Sequence, residues 1–183
     1  MGRVPREQFI PARWQDQAYD DGALPIAAHQ TISQPYVVAW MVDALELPSD
    51  ARVLEIGTGS GYGAAVLAEI ATEVVTIERH PELADQARAV LQQLDYRNVI
   101  VVVADGTLGH QERAPYDGIS VTAAAPEVPP ALLDQLTVGG RLVMPIGDRE
   151  GQELTVVARA GDQFSRKAVG GVRFVPLIGE QGW

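Results

Sequence analysis

From Arg52 onward, short β-branched runs alternate with stretches of helical spacing. Arg52 to Ile56 is an apolar run ending in glycines, and Ser60 to Ala71 then places Ala64, Leu67, Ala68 and Ala71 at helical intervals. Glu73 to Glu78 contains Val-Val-Thr-Ile and predicts a second strand. His80-Pro81 opens a helix, with Pro81 in the first turn, where its missing N–H costs nothing. Leu83, Ala87, Val90, Leu91 and Leu94 mark the buried face of that helix. Val99 to Ala104 predicts a third strand, Asp117 to Thr122 a fourth, Pro129 to Leu136 a short helix and Arg141 to Ile146 a fifth strand. Strands apolar on both faces, alternating with helices, predict an α/β fold with a doubly wound, mostly parallel sheet. After Gly147-Asp148 the pattern changes, and Leu154–Ala160 and Val172–Val175 predict antiparallel C-terminal edge strands. The first fifty residues are irregular apart from a helix around Pro35 to Leu45, as expected of a lid or binding segment ahead of the sheet.

No repeat or long linker divides the chain, so its 183 residues are expected to form one domain, residues 1–183. Within it, residues 1–50 precede the sheet, 51–147 form the core and 148–183 close the edge. The 14 Lys and Arg against 24 Asp and Glu give a formal charge of −10, which argues against nucleic acid as a partner. Cysteine is absent, which excludes disulfides, thiolate nucleophiles and cysteine-ligated metals. No two histidines have metal-ligand spacing, and no metal is expected. Gly22 to Val42 lacks charged residues, but its prolines, glutamines and His29 would be unsatisfied in a bilayer. The start of the chain has no apolar stretch after its arginines, as a signal peptide would. A cytoplasmic protein that does not bind membranes, acting as a monomer, is the expectation.

The chemistry begins at Val53-Leu54-Glu55-Ile56-Gly57-Thr58-Gly59-Ser60-Gly61-Tyr62-Gly63, where a strand feeds a glycine turn that opens a helix. In an open parallel sheet, ligands bind at the carboxyl ends of central strands. A dinucleotide requires G-x-G-x-x-G. From Gly57 the third glycine falls on Tyr62, and from Gly59 only the relaxed form ending at Ala64 fits. S-adenosylmethionine has no phosphate and carries a cationic amino group. Glu55, two residues before the first glycine, suits that cation and would be unfavourable beside a pyrophosphate. Glu78, at the end of the second strand, is placed to accept from ribose hydroxyls, and Asp105, at the end of the third, from an adenine amino group.

These residues resemble a class I methyltransferase, and more narrowly the protein-L-isoaspartate O-methyltransferase family. The resemblance runs from Val4 to Leu177. It rests on Val4-Pro5-Arg6-Glu7-Gln8-Phe9, Ala23-Leu24-Pro25-Ile26, Gln30-Thr31-Ile32-Ser33-Gln34-Pro35-Tyr36, Asp105-Gly106, Ala114-Pro115-Tyr116-Asp117-Gly118-Ile119, Ala123-Ala124-Ala125-Pro126, Leu136-Thr137-Val138-Gly139-Gly140-Arg141-Leu142 and Val172-Arg173-Phe174-Val175-Pro176-Leu177. It implies a Rossmann-like methyltransferase fold with a cofactor-binding core (51–147) behind a substrate-binding segment (1–50). It also implies methyl transfer from S-adenosylmethionine to the free carboxylate of isoaspartyl residues in damaged proteins or peptides. The ester then collapses to a succinimide, whose hydrolysis returns some normal aspartate, so the activity is repair. By position, Ser33 matches the active-site serine and Thr31 its neighbour. Glu55, Gly57, Thr58, Gly59, Ser60, Gly61, Glu78, Arg79, Asp105 and Gly106 match the cofactor segment. Leu24, Pro25, Ile26, Ala27 and Ala28, with Val175, Pro176 and Leu177, would flank the peptide.

A carboxylate, with a reference pKa of ~4, is already a nucleophile at neutral pH, so attack on a sulfonium methyl needs positioning more than a general base. Ser33 is then a hydrogen-bond donor and not a covalent nucleophile. The chain departs from the family in lacking an additional helical segment ahead of Val4. It also has Ala27-Ala28-His29-Gln30 where glycine usually precedes Thr31, which stiffens the substrate loop. These departures leave a related enzyme, acting on a normal aspartate of one dedicated peptide to form an aspartimide, as the alternative. A non-catalytic cofactor-fold binding protein is the alternative of another class, and a nicotinamide-linked oxidoreductase the remaining enzyme alternative. Arg3, Arg6 and Arg13 are expected on the solvated surface.

Overall fold

The computed structural model describes residues 1–183. A small antiparallel hairpin pairs Leu24–Pro25 (β1) with Thr31–Ile32 (β2), and helix α1, Pro35–Ala44, follows. The sheet then builds from Arg52–Ile56 (β3), helix α2 at Tyr62–Ala68, Glu73–Glu78 (β4), helix α3 at Pro81–Gln93, Val99–Val103 (β5) and Tyr116–Val121 (β6). The short helix α4, Pro130–Asp134, leads into Leu136–Gly147 (β7), and Gln152–Ala160 (β8) and Gln163–Val172 (β9) complete the sheet. The order is β5-β4-β3-β6-β7-β8-β9, parallel as far as β7 and antiparallel beyond it. Because β4 and β6 flank β3 on opposite sides, the chain direction switches at the carboxyl end of β3. That is where an open α/β sheet leaves a crevice for a ligand.

Strand alternation sends successive side chains to opposite faces. Val53, Val74 and Val143 join one core with α1 and α2, while Leu54, Ile56, Val75, Ile77, Leu142 and Met144 join the other with α4. Glu55 shares its face with Val53, and its register partners are Thr76 on β4 and Ser120 on β6. A row of polar side chains therefore crosses three adjacent strands, with each residue buried. In α3 the buried residues are Leu83, Ala84, Ala87 and Leu91, with Val90 and Leu94 half-buried at the edge of the expected face.

Two expectations change. The closing strand is Gln163–Val172 and not Val172–Val175, with Val172 its last residue. An edge strand exposed on both faces has no apolar alternation to reveal it, and residues 163–168 are all exposed. Arg6 is fully buried and not solvated. Its Nε donates to Ala18 O at 2.7 Å and its guanidinium lies 4.6 Å from the Tyr62 ring centroid. No helix is long and apolar enough to cross a membrane.

The hairpin tip carries the altered loop. Ala28 (φ 53°) and His29 (φ 56°) are consecutive residues in the left-handed region, closed by Gln30 N donating to Ala27 O at 3.0 Å. That conformation costs an L-residue about 1–2 kcal/mol, and glycine relieves the cost while adding disorder to the unfolded chain. Ala28→Gly should therefore raise stability by up to about 1 kcal/mol in urea denaturation. A loss of stability would contradict the left-handed geometry.

Candidate active site

The turn after β3 is shaped by what stands behind it. Gly57 has φ 93°, and a Cβ there would overlap the Thr122 hydroxyl, which donates to Ile56 O at 3.0 Å and to Gly57 O at 2.8 Å. Gly63, in the first turn of α2, leaves room for the Glu55 carboxyl, since any side chain there would strike its Oε1. The other oxygen accepts from Thr76 Oγ1 at 2.6 Å, and Thr76 shares a 2.7 Å hydrogen bond with Thr58. No cation pairs with Glu55. Burial pushes its carboxyl up to about 8, against the hydrogen bond from Thr76, and the nearby Glu78 charge adds to the rise.

Glu78 ends β4 and turns back to the loop. Its oxygens accept from Gly59 N at 2.9 Å and from His80 N at 3.0 Å. The Gly59 amide, which could face a phosphate in a dinucleotide site, is thus held by a carboxylate. Glu78 lines a cavity of about 310 Å³ with Gly57, Gly59, Arg79, Gly106, Thr122 and the segment Val175-Pro176-Leu177. A carboxylate has about four acceptor positions, and two of those on Glu78 remain for a ligand.

A second cavity, of about 600 Å³, is lined by Ser33, Glu55, Thr58, Ser60 and Arg173, among others. Thr31, Gly57, Gly59, Thr122 and Val175 line both, so the two adjoin. The Ser33 hydroxyl is half-buried and makes no hydrogen bond within the protein. Tyr36, Trp40 and Phe174 line the same cavity.

Other expected residues lie elsewhere. Asp105 is outside both cavities; it accepts from Thr107 N at 2.9 Å, Thr107 Oγ1 at 2.7 Å and Glu180 N at 2.8 Å. Burial alone would raise its carboxyl, but these bonds, with Arg79 nearby, hold it below the usual range. Gly61 sits beneath α3 against Ala87 and Leu91. Leu24 is buried in the core, Pro25 is exposed and Ala28 lines neither cavity, whereas Ile26 and Ala27 line a separate groove with Ser60.

Sequence reasoning singled out Val175, Pro176 and Leu177 but missed Thr76, Thr122 and the anchoring of the tail on Ala124. Thr122 immediately follows a central strand, a position that the strand pattern alone could have flagged. The anchoring had no such signal: Ala124 N donates to Val175 O at 2.8 Å, and Ala124 O accepts from Leu177 N at 2.7 Å and from Trp183 Nε1 at 2.9 Å.

Glu55 makes stability depend on pH. Its folded-state value of about 8 lies above the ordinary 4.5, so its contribution is full below the ordinary value and is lost as pH rises through about 8. A tenfold difference in proton affinity between the folded and unfolded chain corresponds to about 1.4 kcal/mol. Glu55→Gln, uncharged throughout, should gain in melting temperature relative to the native protein between pH 5 and pH 9. A constant difference in thermal denaturation across that range would refute the buried neutral carboxyl.

The family model for protein-L-isoaspartate(D-aspartate) O-methyltransferase matches residues 1–182. Protein-L-isoaspartate O-methyltransferase 1 of Syntrophobacter fumaroxidans is 54% identical over the whole chain, which covers 86% of that relative. Protein-L-isoaspartate O-methyltransferase 2 of Marinobacter nauticus is 56% identical, with 84% of its length covered. Among solved structures, a protein-L-isoaspartate O-methyltransferase superposes with a TM-score of 0.87 at 31% identity, over 98% of this chain and 60% of that one. A Plasmodium falciparum structure of that designation, in complex with S-adenosyl-L-homocysteine, has a TM-score of 0.81 at 23% identity, over 96% of this chain and 87% of its own, a likeness of fold. With its glycine turn, strand-end acids and serine cavity in this arrangement, the chain belongs to the protein-L-isoaspartate(D-aspartate) O-methyltransferase family.

Proposed function

We propose that this protein transfers a methyl group from S-adenosylmethionine to the free carboxylate of isoaspartyl residues in proteins or peptides. The observation that carries the reading is the pair of adjoining cavities, one lined by Glu78 and the other by Ser33, which share the glycine turn as their wall. The residues fit the cofactor: Glu78 has free acceptor positions for a ribose diol, and Glu55 is a buried carboxyl without a cation, facing the second cavity. When bound, the cofactor supplies an electrophilic methyl group on a sulfonium. An oxygen of the substrate carboxylate forms the new C–O bond as the C–S electron pair leaves with sulfur, so no proton moves. The protein's task is then orientation and exclusion of water. Ser33 donates its unpartnered hydroxyl to the substrate carboxylate, and Thr31 stands at the junction of the cavities. Arg79 and Gly106 complete the cofactor side in the Glu78 cavity, Thr58 and Ser60 line the second cavity with Glu55, and Val175, which lines both, flanks the peptide.

In this reading the enzyme acts as a monomer, in the cytoplasm, on polypeptides and not on nucleic acid; the charge of −10 supports the last point. The relatives' names favour isoaspartate over a dedicated aspartyl peptide.

The test supplies radiolabelled S-adenosylmethionine and matched peptides that differ only in isoaspartate or aspartate at one position. Label should enter the isoaspartyl peptide as a base-labile ester, with little in its aspartyl twin; label in the aspartyl peptide alone would replace this reading by the dedicated one. Ser33→Ala should slow transfer by roughly one to two orders of magnitude, as for loss of a hydrogen bond to a charged group, while S-adenosylhomocysteine binding persists.

A further inference from the structure

An enzyme of charge −10 must attract a substrate whose reacting group is an anion. Six arginines, Arg3, Arg52, Arg88, Arg97, Arg113 and Arg141, are paired with carboxylates. Of the remaining cations only two line the cleft: Arg79 in the Glu78 cavity and Arg173 in the Ser33 cavity. Arg173 is the one basic residue of the serine cavity. It is exposed and bonded to no carboxylate or carbonyl.

Its backbone, by contrast, is fixed on both sides. Val172 pairs in register with Gln152 on β8, and the Gln152 side chain holds Phe174, accepting from its N–H at 2.7 Å. Beyond Phe174, Val175 is bonded to Ala124. An exposed arginine without a carboxylate partner is thus carried at the cavity between hydrogen-bonded residues on either side.

We propose that Arg173 recruits the substrate, drawing the peptide carboxylate into the serine cavity and favouring peptides with further acidic residues beside the isoaspartate. The inference rests on the methyl-transfer reading above. The rim is the favourable place for this charge. Methylation removes the negative charge of the carboxylate, so a cation on the reacting oxygens would stabilise the reactant more than the transition state. At the rim it raises the encounter rate and the affinity through a long-range, salt-screened attraction and leaves orientation to Ser33.

The experiment measures methyl transfer to an isoaspartyl peptide at increasing potassium chloride for the native enzyme, Arg173→Gln and Arg173→Lys. Peptide binding in the presence of S-adenosylhomocysteine, followed by fluorescence anisotropy, is a second readout. Arg173→Gln should raise KM and the peptide Kd by roughly three- to fivefold, the range of a partly exposed charge pair, with kcat within about twofold. Its kcat/KM should fall less steeply with salt, and Arg173→Lys should restore most of both effects. An unchanged KM with an unchanged salt slope overturns the proposal, as does a loss confined to kcat. A native enzyme that methylates no isoaspartyl peptide overturns the functional reading and this inference together. A native enzyme that turns over normally beside an indifferent Arg173→Gln overturns this inference alone.

Discussion

The site depends on a carboxyl group that is almost wholly buried. Glu55 stands in the middle of the sheet, between Thr76 and Ser120 in the neighbouring strands, and is 1% exposed. A carboxylate there without a cation would be strongly disfavoured, so the group is held neutral by its surroundings. Its volume demands glycine at position 63, and its hydroxyl partner Thr76 ties it to Thr58 in the turn. The start of α2, the path of the turn and the floor of the serine cavity all follow from accommodating that side chain. An ammonium group beside it would shift the balance toward the charged form.

The second acid works differently. Glu78 sits at a strand end where two backbone amides meet it, and its role within the protein is to pin Gly59 and His80 at fixed distances. The same bonds turn its free acceptor positions into the cavity. Asp105 performs the corresponding task for the tail, holding Glu180, while Val175, Leu177 and Trp183 converge on Ala124. Three acids at three successive strand ends thus have three distinct surroundings: buried and unpaired, amide-bound and facing the cleft, and amide-bound and facing the tail.

Much of this was legible in the residues. The apolar runs located the core strands to within a residue or so at Arg52–Ile56 and Glu73–Glu78, because a parallel strand covered on both faces is mostly apolar. Gln163–Ala168 was invisible for the converse reason, since a strand exposed on both faces has no pattern to impose. Arg6 was misread because its partner, the Tyr62 ring, lies far along the chain. Ser33, Thr31, Glu55 and Glu78 were singled out by position and line the two cavities, whereas the bond from Trp183 to Ala124 exists only in the tertiary structure.

By itself, then, the sequence determined the order of strands and helices, the glycine turn that ends β3 and the identity of the acids at the strand ends. These are set by short-range periodicity and by chain flexibility at single positions. Only the tertiary structure decided which acid faces the cleft, which is neutral, which cation is free to meet a substrate and how the tail closes over Ala124. Charge state and accessibility depend on what packs against a side chain, and in this fold those neighbours come from segments tens of residues away, as with Glu180 at Asp105 and Thr122 at Gly57.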